Sequence, residues 1–259
     1  MIYMKIINIL NKSKNFKKIF RFIKNDSNYI SLILVGSYSR NSTGHDIDFI
    51  LIIENEKTIK QFIFFLKKIK LKIFKNIDVY RFYDNDLKKE ISFFLITKNN
   101  FNKKINKILN GDDEELMIKK TNWAIGGYLS EVFLRDILQS ICILDKHNFI
   151  DQIKNKLEKF SEKLRIKIIK DVIQEYDNKK MYTNKYAFLN QIAKYELYFS
   201  IIRVIFVYNK IYFPGIKHLD EFLNKKKICF NDLLKKILYL EVNDKDIISF
   251  ISYLINVQS

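Results

Sequence analysis

Proline and glycine are nearly missing from this chain: 259 residues contain one Pro and six Gly. A composition so poor in backbone punctuators, with 48% hydrophobic residues, is not that of a disordered or low-complexity polypeptide. Cysteine is scarce as well. Cys142 and Cys229 each sit between apolar neighbours, and no Cys-x-x-Cys or Cys/His cluster accompanies them. That excludes a zinc ribbon or finger and reads both as buried free thiols. Two cysteines without a secretory signal point to a reducing cytoplasm. The three histidines, His45, His147 and His218, are dispersed. No Ser/His/Asp triad can be read, and no GxxxxGK[ST] loop is present, which excludes a P-loop enzyme. No apolar run approaches the roughly 18–20 residues of a membrane span. The longest, Tyr198 to Tyr208, is interrupted by Arg203.

What the chain has in excess is positive charge. Its 46 Lys and Arg against 29 Asp and Glu give a formal net charge of +17. Two readings stand side by side. A polyanion or a nucleotide is the partner, or the bias towards Lys, Ile and Asn is compositional, as an AT-rich genome would impose. The basic residues are spread along the sequence and not gathered into a tail.

Hydrophobic periodicity divides the chain in two. Residues 4–25 carry apolar side chains at helical spacing and predict a first helix, amphipathic and without a cleavage site. Tyr29 to Val35 reads as a strand ending at Gly36-Ser37, and Asp46 to Ile53 as a second strand after a polar, turn-rich stretch. Residues 57–70 read as a helix. Residues 77–83 and 90–97 alternate and flank the polar turn Asp84-Asn85-Asp86, which predicts a hairpin. A short helix follows over 101–109. Beyond residue 113 the spacing is helical throughout (116–145, 149–176, 184–208 and shorter pieces to 258), with no strand expected. There is no internal repeat.

The chemistry concentrates in Val35-Gly36-Ser37-Tyr38-Ser39-Arg40 and Asp46-Ile47-Asp48-Phe49. Residues two apart in a strand share a face, so Asp46 and Asp48 put two carboxylates side by side. Such a pair repels itself unless compensated, and two divalent cations with oxygen ligands compensate it well. Gly36 lets backbone approach a phosphate, whose oxygens the N–H groups after a strand end can bind; Ser37 adds a hydroxyl. Glu90, at the start of a strand-like run, is the first candidate for a third carboxylate. Asp78 is its competitor. Three carboxylates and two metals suit in-line phosphoryl transfer.

These residues resemble the polymerase-β-like nucleotidyltransferases, whose signature is a hydrophobic-Gly-[Gly/Ser] element followed by [Asp/Glu]-hydrophobic-[Asp/Glu]-hydrophobic. Val35-Gly36-Ser37 and Asp46-Ile47-Asp48-Phe49 match it, with eight residues between. Arg40 falls where many small members carry a basic residue. The resemblance implies an α+β architecture: a short mixed-sheet nucleotidyltransferase palm, residues 1–112, followed by an all-helical domain, residues 113–259. It implies an NTP as substrate, two Mg2+ ions held by Asp46, Asp48 and Glu90, and the triphosphate held by Gly36, Ser37 and Arg40. The helical half resembles, more faintly, small bacterial antibiotic-type enzymes over residues 128–144 and 209–219. That implies a second domain shaping an acceptor pocket for an aminoglycoside-like or lincosamide-like hydroxyl, and with it antibiotic resistance.

Three further residues are singled out in the second half. Asp136 lies on a largely apolar helix face, as a structural ion pair or an acceptor-side general base. Glu131 is a second candidate, although an i,i+4 pair with Arg135 accounts for it. Lys217, after the Pro214-Gly215 turn, can reach a phosphate. A small-molecule acceptor is preferred over RNA or tRNA. A toxin–antitoxin partner on the same scaffold, a protein hydroxyl as acceptor and a homodimer stay open. No membrane is expected.

Overall fold

The structure, a computed structural model, describes residues 2–41, 44, 46–76, 79–112, 130–182, 187–215, 219 and 228–258. Two compact units divide the chain. The first comprises residues 1–106 and 136–159, the second residues 107–135 and 160–259. A single cut at residue 112 does not describe this division, because residues 136–159 belong with the sheet.

The first unit is built on a six-stranded mixed sheet of order β3-β4-β5-β2-β1-β6. Its strands are β1 (Tyr29–Val35), β2 (Asp46–Ile53), β3 (Phe74–Asn76), β4 (Val79–Asp84), β5 (Lys89–Thr97) and β6 (Ile141–Asp145). β2 and β5 pair in parallel; the other neighbours are antiparallel. β4 and β5 form the expected hairpin. β3 is an addition at the edge, and β6 is a correction. Residues 141–145 were expected to continue a helix, but Ile-Cys-Ile-Leu is a short apolar run whose periodicity cannot separate strand from helix. Pairing with β1 decides it. The Asp145 carboxylate anchors the strand end, accepting from Ser31 Oγ at 2.7 Å and from the Ile150 backbone N–H at 2.9 Å.

Alternation along β2 assigns its faces. Ile47, Phe49, Leu51 and Ile53 point into the main core with Leu32, Leu34, Ile91, Phe93 and Leu95. That face is covered by α1 (Ile2–Leu10), α2 (Lys14–Lys24) and α4 (Glu56–Lys68), which bury Ile6, Leu10, Phe16, Ile19, Ile23, Phe62 and Leu66. The expected single helix over 4–25 is thus two. Ser13 ends the first and caps the second: its Oγ accepts from the Phe16 N–H at 2.8 Å and donates to buried Asp84 at 2.6 Å. The opposite face of β2 carries Asp46, Asp48, Ile50 and Ile52. On that side α5 (Lys98–Asn110) and α7 (Phe149–Glu158) bring Phe101 and Phe149 together with ring centroids 6.0 Å apart, while Lys104 lies over the Phe94 ring. Ile50 and Ile52 are buried; Asp46, at the strand's beginning, is exposed.

Among its described residues the second unit is helical, as expected, with α8 (Glu162–Tyr182), α9 (Ala187–Tyr208), α10 (Asn231–Leu238) and α11 (Asp244–Gln258). α9 is apolar nearly all round and buries Ile201, Ile202, Val204, Ile205, Phe206 and Val207. The chain passes between the units within α5, within α6 (Ser130–Leu138) and again after residue 159, between α7 and α8. The cysteines depart from expectation. Cys142 is half-buried and Cys229 is exposed. Cys229 occupies the turn before α10, where its N–H donates to Asn209 Oδ1 at 2.7 Å; the apolar side chain that turns inward there is Ile228.

Candidate active site

Strand register assembles the candidate carboxylates. In the parallel β2–β5 ladder Asp46 is directly across from Glu90, and Asp48 from Ser92. Opposite residues share a face, as do residues two apart. Asp46, Asp48, Glu90 and Ser92 therefore form one polar patch at the beginning of both strands. The antiparallel neighbour β4 extends it, with Tyr83 across from Glu90 and Arg81 across from Ser92. On the other flank Val35 pairs with Asp48. The next residue, Gly36, opens the six-residue helix α3 (Gly36–Asn41).

Gly36 has φ +72, and a Cβ on it would lie 3.0 Å from Asp48 Oδ2. Both facts require glycine: the backbone is left-handed, and the missing side chain is what lets α3 begin against the carboxylate. Ser39 Oγ donates to the Gly36 carbonyl at 2.8 Å and closes this turn. Ser37, half-buried, faces Gly44, where an added Cβ would fall 2.6 Å from its Oγ. Lys89 donates to the Gly44 carbonyl, and its ammonium lies 5.4 Å from the Tyr38 ring centroid.

Electrostatics mark Asp48 as the strained member. Burial pushes its carboxyl up to about 6, the charges of Asp46 and Asp136 push the same way, and the hydrogen bond from Ser92 Oγ and the Arg81 charge oppose them. Glu90 is ion-paired, with Oε1 3.5 Å from Arg81 Nη1 and both side chains more than two-fifths exposed. Among the described residues no three His, Cys, Asp or Glu side chains stand close enough together to hold a metal ion. The backbone brings Asp46, Asp48 and Glu90 to one patch, and the side chain of Glu90 is turned to Arg81. The donor set is all carboxylate, and burial more than neighbouring charge is what makes the ionised form of Asp48 costly. In ligand type and charge the residues fit a hard divalent cation such as Mg2+.

The second-half candidates separate. Asp136, buried near the end of α6, belongs to the unit of the sheet, and its charge reaches Asp48. Glu131 belongs to the other unit and is fully buried. Its expected partner, Arg135, is not the one it uses. Arg203 of α9 donates from Nε to Glu131 Oε1, while Arg135 Nη1 donates to the Pro214 carbonyl at 2.8 Å. Arg135 thus fixes the Pro-Gly turn, and α9 supplies the counter-charge. Arg40 lies in α3, but its side chain, and all of His45, Asp78, Lys217 and His218, fall outside the described residues.

Three participants were not anticipated. Ser92 was legible in principle, two residues beyond Glu90 on the same strand. Arg81 followed from the alternation of residues 79–83 once β4 was placed beside β5. Lys89 carried no sequence signal, because its role depends on the Gly44 carbonyl, 45 residues away in the chain.

No protein-family model matches the chain, and no curated protein matches it. A crystal structure of a nucleotidyltransferase-like protein from Exiguobacterium sibiricum 255-15 is similar over 93% of this chain and 73% of that one, at 9% identity and a TM-score of 0.48. A likeness at that level carries no functional argument; the reading of the site rests on its own residues.

Proposed function

We propose that this chain is a metal-dependent nucleotidyltransferase that moves a nucleoside monophosphate from an NTP to an acceptor hydroxyl and releases pyrophosphate. The observation that carries the reading is the register of β2 and β5, which gathers Asp46, Asp48 and Glu90 beside a glycine whose missing Cβ leaves room against Asp48. Asp46, Asp48 and Glu90 would hold divalent cations, two by the resemblance, which supply Lewis-acid polarisation of the α-phosphate and stabilise the departing pyrophosphate.

The chain's own groups do the rest. Gly36 and Ser37 present backbone and hydroxyl to the triphosphate, with Arg40 and Lys217 as further phosphate ligands. Ser92 holds the Asp48 carboxylate by its hydrogen bond. Arg81, paired with Glu90, would be left available to a phosphate if Glu90 served a cation instead. The acceptor oxygen forms a bond to the α-phosphorus while the bond to the pyrophosphate oxygen breaks. The hydroxyl proton passes to Asp136, the proposed general base. Glu131, committed to Arg203, is assigned a structural part.

By the resemblance the acceptor is a small molecule of the aminoglycoside or lincosamide kind. A polynucleotide acceptor is the second reading, favoured by the net charge of +17. Transfer from α-labelled NTPs with Mg2+, run against a drug panel and total RNA, decides between them. The Asp46→Ala/Asp48→Ala protein is the control. Label on a drug supports the first reading and label on RNA the second. An active double variant would refute the carboxylate mechanism.

A further inference from the structure

The excess positive charge is concentrated where the fold packs two helices together. Residues 12–26 and 56–75 contain thirteen Lys or Arg and two acidic residues, Asp26 and Glu56. They hold eleven of the seventeen excess positive charges of the chain. α2 and α4, which make up most of these segments, lie side by side on the core face of the sheet, with the Phe22 and Phe65 rings stacked 3.9 Å apart.

The charges lie in ordered rows. On α2, Lys14, Lys17, Lys18, Arg21 and Lys24 follow helical spacing, all exposed, opposite the buried Phe16, Ile19 and Ile23. On α4, Lys57, Lys60, Lys67 and Lys68 do the same, with Phe64 in their midst and 71% exposed. None of the thirteen basic side chains enters the ion pairs found among the described residues. Between the helices runs a groove of about 560 Å³, lined by Lys18, Arg21, Phe22, Asn25, Asp26, Phe65 and Ile69. The one carboxylate there is engaged, since Asp26 Oδ1 accepts from the Asn28 backbone and side-chain amides at 2.9 and 2.8 Å.

We infer that the α2–α4 face binds a single-stranded polynucleotide. Rows of uncompensated Lys and Arg suit a run of phosphates. Exposed Phe64 among them offers a flat face on which an unpaired base stacks. An anionic membrane is the poorer fit, because the exposed side of α2 carries no large apolar side chain to insert. This deepens the polynucleotide-acceptor form of the proposed function. Its test is equilibrium binding, which needs neither NTP nor catalysis, so it can fail while nucleotidyl transfer stands, and the reverse.

The test is fluorescence anisotropy with a short labelled single-stranded RNA, its DNA counterpart, and phosphatidylserine vesicles. Three proteins are compared: wild type, Lys18→Glu/Arg21→Glu/Lys68→Glu, and Lys163→Glu/Lys170→Glu/Lys245→Glu, whose equal charge change falls on exposed positions of the second unit. Wild type should bind RNA with log K falling against log salt at a slope of about −3.5 if about five phosphates are engaged. The first triple variant should lose about tenfold or more in affinity and shed about 2 from the slope, with the control far less affected. Phe64→Ala, which leaves the charge unchanged, should weaken binding by about fivefold or more with the slope intact. Tight DNA binding beside RNA would still support the inference. Equal loss in both triple variants, no RNA binding by wild type at low salt, or binding to vesicles alone would overturn it.

Discussion

Glu90 lies directly across the parallel β2–β5 ladder from Asp46, and its carboxylate is 3.5 Å from Arg81 Nη1. The same side chain is thus wanted by two positive partners, a guanidinium on β4 and a cation at Asp46 and Asp48. Both members of the ion pair are well exposed, so the pair is worth at most about 1 kcal/mol. Arg81→Ala should therefore tighten Mn2+ binding in the absence of nucleotide by up to about fivefold. Arg81→Lys should stay near wild type. Electron paramagnetic resonance titration of free Mn2+ reads this directly, and weaker Mn2+ binding by Arg81→Ala would contradict the competition.

Asp48→Asn separates fold from function. The Asp48 carboxyl is raised from 3.8 to about 6, so in the folded protein its ionised form is the costly one. Relative to the unfolded chain, the cost is absent below pH 4, grows as pH rises towards 6, and is constant above. The variant should match wild type in stability near pH 4 and exceed it near pH 7.5 by up to about 3 kcal/mol. Its amide oxygen can still accept from Ser92. Urea unfolding at the two pH values measures the difference, while transfer activity should be abolished.

Gly36→Ala introduces two faults at once. The residue must hold φ +72, and its methyl would lie 3.0 Å from Asp48 Oδ2. The backbone part alone should destabilise by about 1 kcal/mol. The displaced carboxylate should lower nucleotidyl transfer more than that loss explains. Thermal unfolding alongside initial rates distinguishes the two effects.

Arg203→Ala strands the Glu131 carboxylate, which is fully buried and whose Oε2 already lacks a hydrogen-bond partner. The expected cost is about 3 kcal/mol, at the low end for a broken buried pair because Arg203 keeps some exposure. Glu131→Gln should cost less and leave specific activity near wild type. A large drop in turnover for a well-folded Glu131→Gln would return Glu131 to the chemistry.

The strands that carry the site were legible because each feature was local. Tyr29–Val35 and Asp46–Ile53 came out with the bounds expected from their apolar runs. The choice of Glu90 as the residue beside β2 rested on its more apolar strand, and the observed register puts it across from Asp46. Asp78 lies outside the described residues, so the comparison between the two has one side only. What escaped the sequence depended on distant partners. Ser13 breaks the first helix because Asp84, far along the chain, accepts a hydrogen bond from its hydroxyl. Residues 141–145 become a strand because β1 has a free edge, and Arg203 answers Glu131 from a helix 72 residues further along. The concentration of charge on α2 and α4 was hidden for the same reason, since the two segments are separate in sequence and adjacent only once folded.

The parallel pairing of β2 with β5 has a consequence for the order in which the protein comes into being. A parallel neighbour cannot be reached by a tight turn, and here the connection runs through α4, β3 and β4. A nascent chain that has emerged through β2 holds Asp46 and Asp48 but no third carboxylate. Closing that long loop is an entropic cost met before the ladder can repay it. The proposed chemistry is therefore tied to a non-local contact, and local opening of the β4–β5 hairpin would remove Glu90 and Ser92 from the site together.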